Sequence, residues 1–151
     1  MKCKDLKKQV IAKSQEVIKE KLALLAAELD HLLKDISEDT KSSAGDKFET
    51  TRELVNTERQ QLYARVEDLN KMLAALTTLP PGAANTVDFG NLVQTDKNWL
   101  LIAVSLGPVE VAGEQVLVIS PLAPLGQAFQ GKQIKDKVAF NNVSYRIAGI
   151  C

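Results

Sequence analysis

SSAGDKFETTRE, residues 42–53, interrupts a chain whose flanks are strongly patterned. On its N-terminal side, Ile11, Ile18, Leu22, Leu25, Leu29, Leu32 and Ile36 follow at steps of seven, four, three, four, three and four. Such spacing keeps one apolar stripe on one side of a helix, the heptad seam of a coiled coil. On the C-terminal side, Val55, Leu62, Val66, Leu69, Leu73 and Leu76 form a second seam, with Arg59 replacing one apolar position. Lys, Glu, Gln and Ala, all good helix formers, fill the spaces between. The two seams are mirror images. Ile36 pairs with Val55, Leu29 with Leu62, Leu25 with Val66, Leu22 with Leu69 and Ile18 with Leu73, each pair of numbers summing to 91. An antiparallel hairpin requires that relation, and it puts the fold point between Gly45 and Asp46, where glycine tolerates the backbone of a tight reversal. Arms of about 35 residues would each run roughly 50 Å. Two helices alone make a thin core, so the hairpin needs a second domain or a partner.

The segment LTTLPPGAANT, residues 76–86, ends the helical pattern with Pro80, Pro81 and Gly82. Beyond it, TVDFGNLVQT, NWLLIAVSL, EQVLVIS, KVAF and VSYRIAGI are rich in Val, Ile, Leu and aromatic residues and read as strands. Asn141-Asn142 fits a two-residue hairpin turn. Pro124 suits the first turn of a short helix and Gly131 its end. The expected fold is α+β. An antiparallel two-helix coiled-coil hairpin (residues 1–78, tip near 42–50) leads through a linker (79–85) to a small antiparallel β domain with one short helix (86–151).

Composition narrows the function classes. The 151 residues are 45% hydrophobic and 25% charged with zero formal net charge, which suits small soluble domains and not a disordered chain. No apolar run is long enough to span a bilayer, and MKCKDLKKQV lacks the apolar core of a signal peptide. Cys3 and Cys151 stand in no metal or redox spacing, so free thiols in a reducing cytoplasm are expected. The single histidine, His31, has no second His or Cys near it and reads as a solvated helix residue. Nucleotide-binding glycine motifs and hydrolase constellations are absent from the sequence. The zero net charge hides an asymmetry: residues 1–21 carry seven lysines against three acids, and residues 28–68 carry eleven acids against six basic side chains. Solvated helix faces explain this, as do two surfaces meeting different parts of a charged partner.

Four stretches resemble a known family. GDKFET at 45–50 is similar to the G-D-x-x-E-N tip pattern of the Gre transcript-cleavage factors of bacterial RNA polymerase (GreA and GreB). TERQQL at 57–62 falls where that family commonly has K-E-Q-Q, and VDFGNLV at 87–93 resembles its V-x-F-G-x-x-V. APLGQAFQGKQIKDKV at 123–138 resembles S-P-L-G-x-A-L-x-G-K-x-x-G-D-x-V over many positions in order. The chain departs from the pattern at Thr50 (Asn in the family), Glu53 (Tyr) and Ala123 (Ser), and an additional SPL stands at 120–122.

The resemblance implies a β domain with an FKBP-like fold that docks at the rim of the polymerase secondary channel. It implies a hairpin that passes down the channel, and tip carboxylates that help hold a second Mg²⁺ and its water. The polymerase then cleaves backtracked RNA near its 3′ end. Asp46 and Glu49 are the residues this assigns, both as catalytic helpers and as ligands to a Mg²⁺ shared with the polymerase. Mg²⁺ keeps several waters and takes one or two carboxylates, and a pair three residues apart shares a face if its segment is helical. The same acids are also what the positive end of a helix dipole favours, so simple capping is the competing reading. On the cleavage reading the chain is not itself an enzyme, binds no metal when isolated, acts as a monomer and is cytoplasmic. Lys7, Lys8 and Lys13 on the basic first helix are candidates for contact with nucleic acid or with an acidic channel rim. The rivals are a Gre-like channel regulator that binds without promoting cleavage or inhibits it, and a coiled-coil interaction protein. Prolyl isomerisation would follow from fold analogy alone, which does not carry function.

Overall fold

The computed structural model describes the backbone of residues 2–39 and 45–151, and the side chains of residues 2–34 and 52–151. Helix α1 runs Lys2–Asp39 and α2 runs Gly45–Thr77. The strands are β1 (Leu92–Thr95), β2 (Trp99–Ile102), β3 (Gly107–Val111), β4 (Glu114–Ile119), β5 (Lys137–Phe140) and β6 (Val143–Ile150), with α3 (Pro124–Phe129) between β4 and β5. The chain forms two compact units, Val17–Lys71, and Met1–Glu16 together with Met72–Cys151.

In the first unit the two helices lie antiparallel, with the partners the mirrored seams require. Lys21, Leu24, Leu25 and Glu28 line one groove with Arg65, Asp68 and Leu69. Further along, Glu28, His31 and Leu32 meet Glu58 and Leu62. Ile18 and Leu25 are buried, but Leu22, Leu29, Leu32, Leu62, Val66 and Leu69 remain half-buried, because a two-helix layer covers its seam from one side only. Leu24, Leu54 and Tyr63 are more than half exposed, at 67%, 64% and 54%. Helix α1 ends at Asp39 and α2 begins at Gly45, so Gly45 and Asp46, the expected fold point, stand in the opening turn of α2. Residues 40–44 themselves lie outside the described residues. A glycine in a helix's opening turn is tolerated because the amides there have no intrahelical partner to lose.

The second unit is built on a six-stranded sheet of order β3-β4-β2-β1-β6-β5. The sheet is mixed, not antiparallel throughout as expected, because β2 and β4 run parallel, Trp99 opposite Val116 through Ile102 opposite Ile119. The missed element is β3. It returns antiparallel beside β4 through a turn at Ala112 and Gly113, both at positive φ, so the strand that follows it must point the way β2 does. Its opening Gly107-Pro108 reads as a turn signal, but proline is tolerated on an edge strand, where one face of the backbone has no neighbour. The Asn141-Asn142 turn between β5 and β6 is as expected, with both residues at positive φ (49° and 63°). Helix α3 opens with Pro124, and Gly131, at φ 76°, follows its end.

Strand β2, WLLI, is buried at all four positions, which explains its unbroken apolar run: the sheet is covered on both faces. One face holds Val93, Leu100, Ile102, Ile119, Val138 and Ile147 around Phe129 of α3 and Val87. Phe129 meets Tyr145 edge-on, ring centres 5.6 Å apart. Leu92, Leu101, Val116 and Val118 alternate with these and are also buried. In the same unit Leu6, Val10 and Ser14, spaced four apart on α1, are buried with Leu76 of α2. Helix α2 stops as the Thr77 and Thr78 hydroxyls donate back to the Leu73 and Ala74 carbonyls and Pro80-Pro81 removes further donors.

The cysteines are not free thiols. Cys3 in the first turn of α1 and Cys151 beyond β6 form a disulfide, Cα atoms 6.2 Å apart. The sequence separation of 148 hides the pair from any reading of local spacing; the fold brings it together. Cys151 exchanges two backbone hydrogen bonds with Leu92, which pins it beside the start of β1.

Between Pro80 and Leu92 the chain is held by one buried side chain. The Asn91 Oδ1 accepts from the amides of Ala83 (3.0 Å) and Asp88 (2.9 Å). Its Nδ2 donates to the carbonyls of Ala83 (2.8 Å) and Cys151 (3.1 Å). All of the amide's capacity is used. Gly90, at φ 97°, passes so close to the Pro80 carbonyl that a Cβ would collide with backbone. Asn91→Ala should therefore lower unfolding free energy by roughly 3 kcal/mol in urea titrations, since it orphans several buried backbone groups. Gly90→Ala should cost about 2 kcal/mol or more through the same φ and the Pro80 collision.

Candidate functional site

Helix α2 places Asp46 and Glu49 in its opening turns, three residues apart, at the end of the hairpin where the chain reverses. Their side chains lie outside the described residues, as do those of Glu38, Asp39 and Phe48, and so does the tip segment 40–44. The backbone assignment supplies the helical segment in which an Asp-x-x-Glu pair sits within one turn. Two carboxylates meet only part of the coordination demand of a hard divalent cation, which takes six oxygens. By donor count alone the pair does not make a complete site for such an ion.

The three lysines singled out on α1 have different surroundings. Lys7 is half-buried and donates from Nζ to the Pro81 carbonyl (2.9 Å) and the Cys151 carbonyl (3.4 Å). It fastens α1 to the linker and to the end of the sheet within one unit. Lys13 approaches Glu16 at 3.8 Å one helical turn on, a loose exposed pair of little energetic weight. Lys8 is exposed. The structure therefore does not gather the three into one patch of free ammonium groups: Lys8 is open to solvent, and Lys7 is committed to backbone carbonyls.

His31 lies exposed along the hairpin groove with Leu24, Ala27, Glu28, Leu32, Glu58 and Leu62 around it. Along the hairpin the floor is apolar and the rim carries both signs, with Lys21, Arg65, Glu28 and Asp68 around one groove and Glu28 and Glu58 around the other.

In the β domain, the stretch 123–138 forms α3, the turn after it and the start of β5. Gly126 of α3 sits against the Ser120 carbonyl, leaving no room for a Cβ. The Asp88 carboxylate accepts from Gln130 Nε2 and from the Phe89 amide, and these bonds hold it below the usual carboxylate range, Gln130 contributing most. The two motif segments, 87–93 and 123–138, are thus joined side chain to side chain. Asn91 was not singled out from sequence; Gly-Asn between apolar runs reads only as a turn, and nothing local announces that the amide will reach Ala83 and Cys151.

Burial pushes the Lys7 amine below its ordinary value of 10.5. Between that lowered value and 10.5, the unfolded chain binds more protons than the folded one, so this lysine makes stability rise with pH across the window. Lys7→Gln should lack that component, seen as a smaller gain in urea midpoint than wild type between two pH values spanning the window.

No protein-family model matches the chain, and no curated protein matches it. Among solved structures it is similar to the transcription factor Gfh1, with a TM-score of 0.38 and 18% identity over 91% of this chain and 93% of that one. It is also similar to GreA factor homolog 1 (Gfh1) of Thermus thermophilus, with a TM-score of 0.37 and 18% identity over 91% and 94% of the two chains. Gfh1 of Thermus aquaticus gives a TM-score of 0.38 and 18% identity over 92% and 94%.

Proposed function

We propose that the protein is a transcription factor of the Gre type, which binds bacterial RNA polymerase through its β domain and inserts the helical hairpin into the secondary channel. The observation that carries this reading is the position of GDKFET: the acidic pair begins α2, at the turn end of an antiparallel hairpin. The ordered match at 123–138, which falls on α3, its terminating turn and β5, supports it from a second, distant stretch.

On this reading Asp46 and Glu49 act together at the hairpin's end. Their carboxylates contribute oxygen ligands to a Mg²⁺ held jointly with the polymerase and accept hydrogen bonds from water beside it, orienting that water toward the RNA phosphate. The shared Mg²⁺ supplies charge stabilisation and an acidified water for hydrolysis near the RNA 3′ end. The chain by itself has no nuclease activity because two exposed carboxylates cannot assemble that environment. The hairpin's half-buried seam suits a rod stabilised further by walls around it. Glu58, Arg65 and Asp68 along α2 keep that rod wetted when it is free.

A second reading has its own support. Thr50 and Glu53 replace the Asn and Tyr of the family pattern, and Glu53 puts an anion where an aromatic would meet the RNA end. A factor so altered would occupy the channel without promoting cleavage.

The deciding measurement uses a bacterial RNA polymerase stalled in a backtracked complex, with the protein and Mg²⁺ added and RNA length followed. Cleavage predicts release of short 3′ fragments at least about 100-fold faster than without the protein, lost in Asp46→Ala and Glu49→Ala while polymerase binding persists. Binding without fragment release selects the second reading. Absence of binding rejects both.

A further inference from the structure

We infer that the Cys3–Cys151 disulfide is an exchangeable thiol switch, opened by a small intracellular thiol such as glutathione, that sets whether the first turn of α1 is fastened to the end of β6. The inference concerns the β-domain unit and does not depend on the polymerase reading.

The placement of the two sulfurs argues for exchange. Cys3 is the second residue of α1, in a turn whose amides have no helical acceptor. Free amides at a helix start favour a thiolate, so Cys3 is the better leaving group of the pair. Both cysteines are half-buried, neither being enclosed in the core. The surroundings of Cys151 are different: its backbone is locked to Leu92, and its carbonyl accepts from the Leu92 amide, Asn91 Nδ2 and Lys7 Nζ. Opening the bond leaves Cys151 where it is.

The chemistry balances as two exchanges. A glutathione thiolate attacks the Cys151 sulfur; the S–S bond breaks, Cys3 leaves as thiolate, and Cys151 carries a mixed disulfide. A second glutathione thiolate attacks the glutathione sulfur of that mixed disulfide and releases the Cys151 thiolate. The net change is two electrons to the protein, two protein thiols after protonation, and one glutathione disulfide.

What the switch moves is local. Leu6 and Val10 stay buried and Lys7 still holds the Pro81 carbonyl, so the unit remains folded when reduced. Only the segment before Leu6 loses its tie. Among the described residues the Lys2–Glu114 pair at 3.6 Å also lies there, an exposed pair that holds little by itself.

The test uses the full chain, air-oxidised, then incubated with millimolar reduced glutathione under native conditions. Thiols are counted by maleimide-polyethylene glycol gel shift, adducts are mapped by mass spectrometry, and amide hydrogen exchange is measured. The expected result is two new thiols, a transient adduct on Cys151, and exchange in α1's first turns faster by about tenfold with β1 and β2 unchanged. Cys3→Ser and Cys151→Ser should each show the fast exchange whether or not glutathione is present. If either variant fails to fold, the reduced wild-type chain carries the comparison. The inference is overturned if the bond opens only when urea unfolds the chain, if it opens with no change in α1 exchange, or if air-oxidised protein carries two free thiols.

Discussion

The Asn91 carboxamide sits where the segment after α2, the approach to β1 and the distant Cys151 meet, and its four hydrogen bonds decide how they meet. Ala83 comes from the segment after α2, Asp88 from the approach to β1, and Cys151 from beyond β6. An amide buried among backbone groups is stable only while each of those bonds is made, so the three stretches are held in one mutual geometry or none. Lys7 extends the same junction to α1 by donating to Pro81 and Cys151. Gly82 and Gly90, both at positive φ, are there because the junction has no space for a Cβ at either position. The sheet's first strand can therefore start only where Asn91 puts it.

A different constraint governs the hairpin. Two helices packed along one seam leave that seam half open, and the described residues show this in Leu22, Leu29, Leu32 and Leu62. Exposed Leu24 and Leu54 add to it. Charged residues stand beside the apolar floor at the groove's rim. An element of this kind gains from surroundings that cover its sides.

The hairpin was legible because reflection of one seam onto another is a global property carried by many residues at once. The burial of Ile18 and Leu25, and the grooves that join residues 21–32 to 58–69, follow from it. WLLI was legible as a strand for a related reason: covering both faces leaves nothing for polar residues to do. The features that escaped were long-range or locally contradictory. Strand β3 opens with Gly-Pro, which signals a turn unless one knows that the strand lies at an edge. The parallel β2–β4 pairing depends on that same strand. The disulfide and the Asn91–Cys151 bond each join residues whose nearness exists only after the sheet has formed. At the candidate site, the sequence supplied Asp46 and Glu49, and the backbone supplied the helix that carries them; Lys7 read as a surface cation until its carbonyl partners were seen.

The position of β6 has a consequence for how the protein is made. The sheet places this late strand between β1 and β5, and Cys151 closes against Leu92. On a ribosome adding about 5–20 residues per second, β1 must wait several seconds for that neighbour, and Cys3 longer still for its partner sulfur. During that interval the hairpin, whose contacts are nearer in sequence, is free to pair first. The β1 edge next to it stays open, and Cys3 emerges as a thiol able to meet other thiols in the cell. Synthesis order therefore gives the helical arms a head start, and the sheet is completed only when β6 joins β1 to β5.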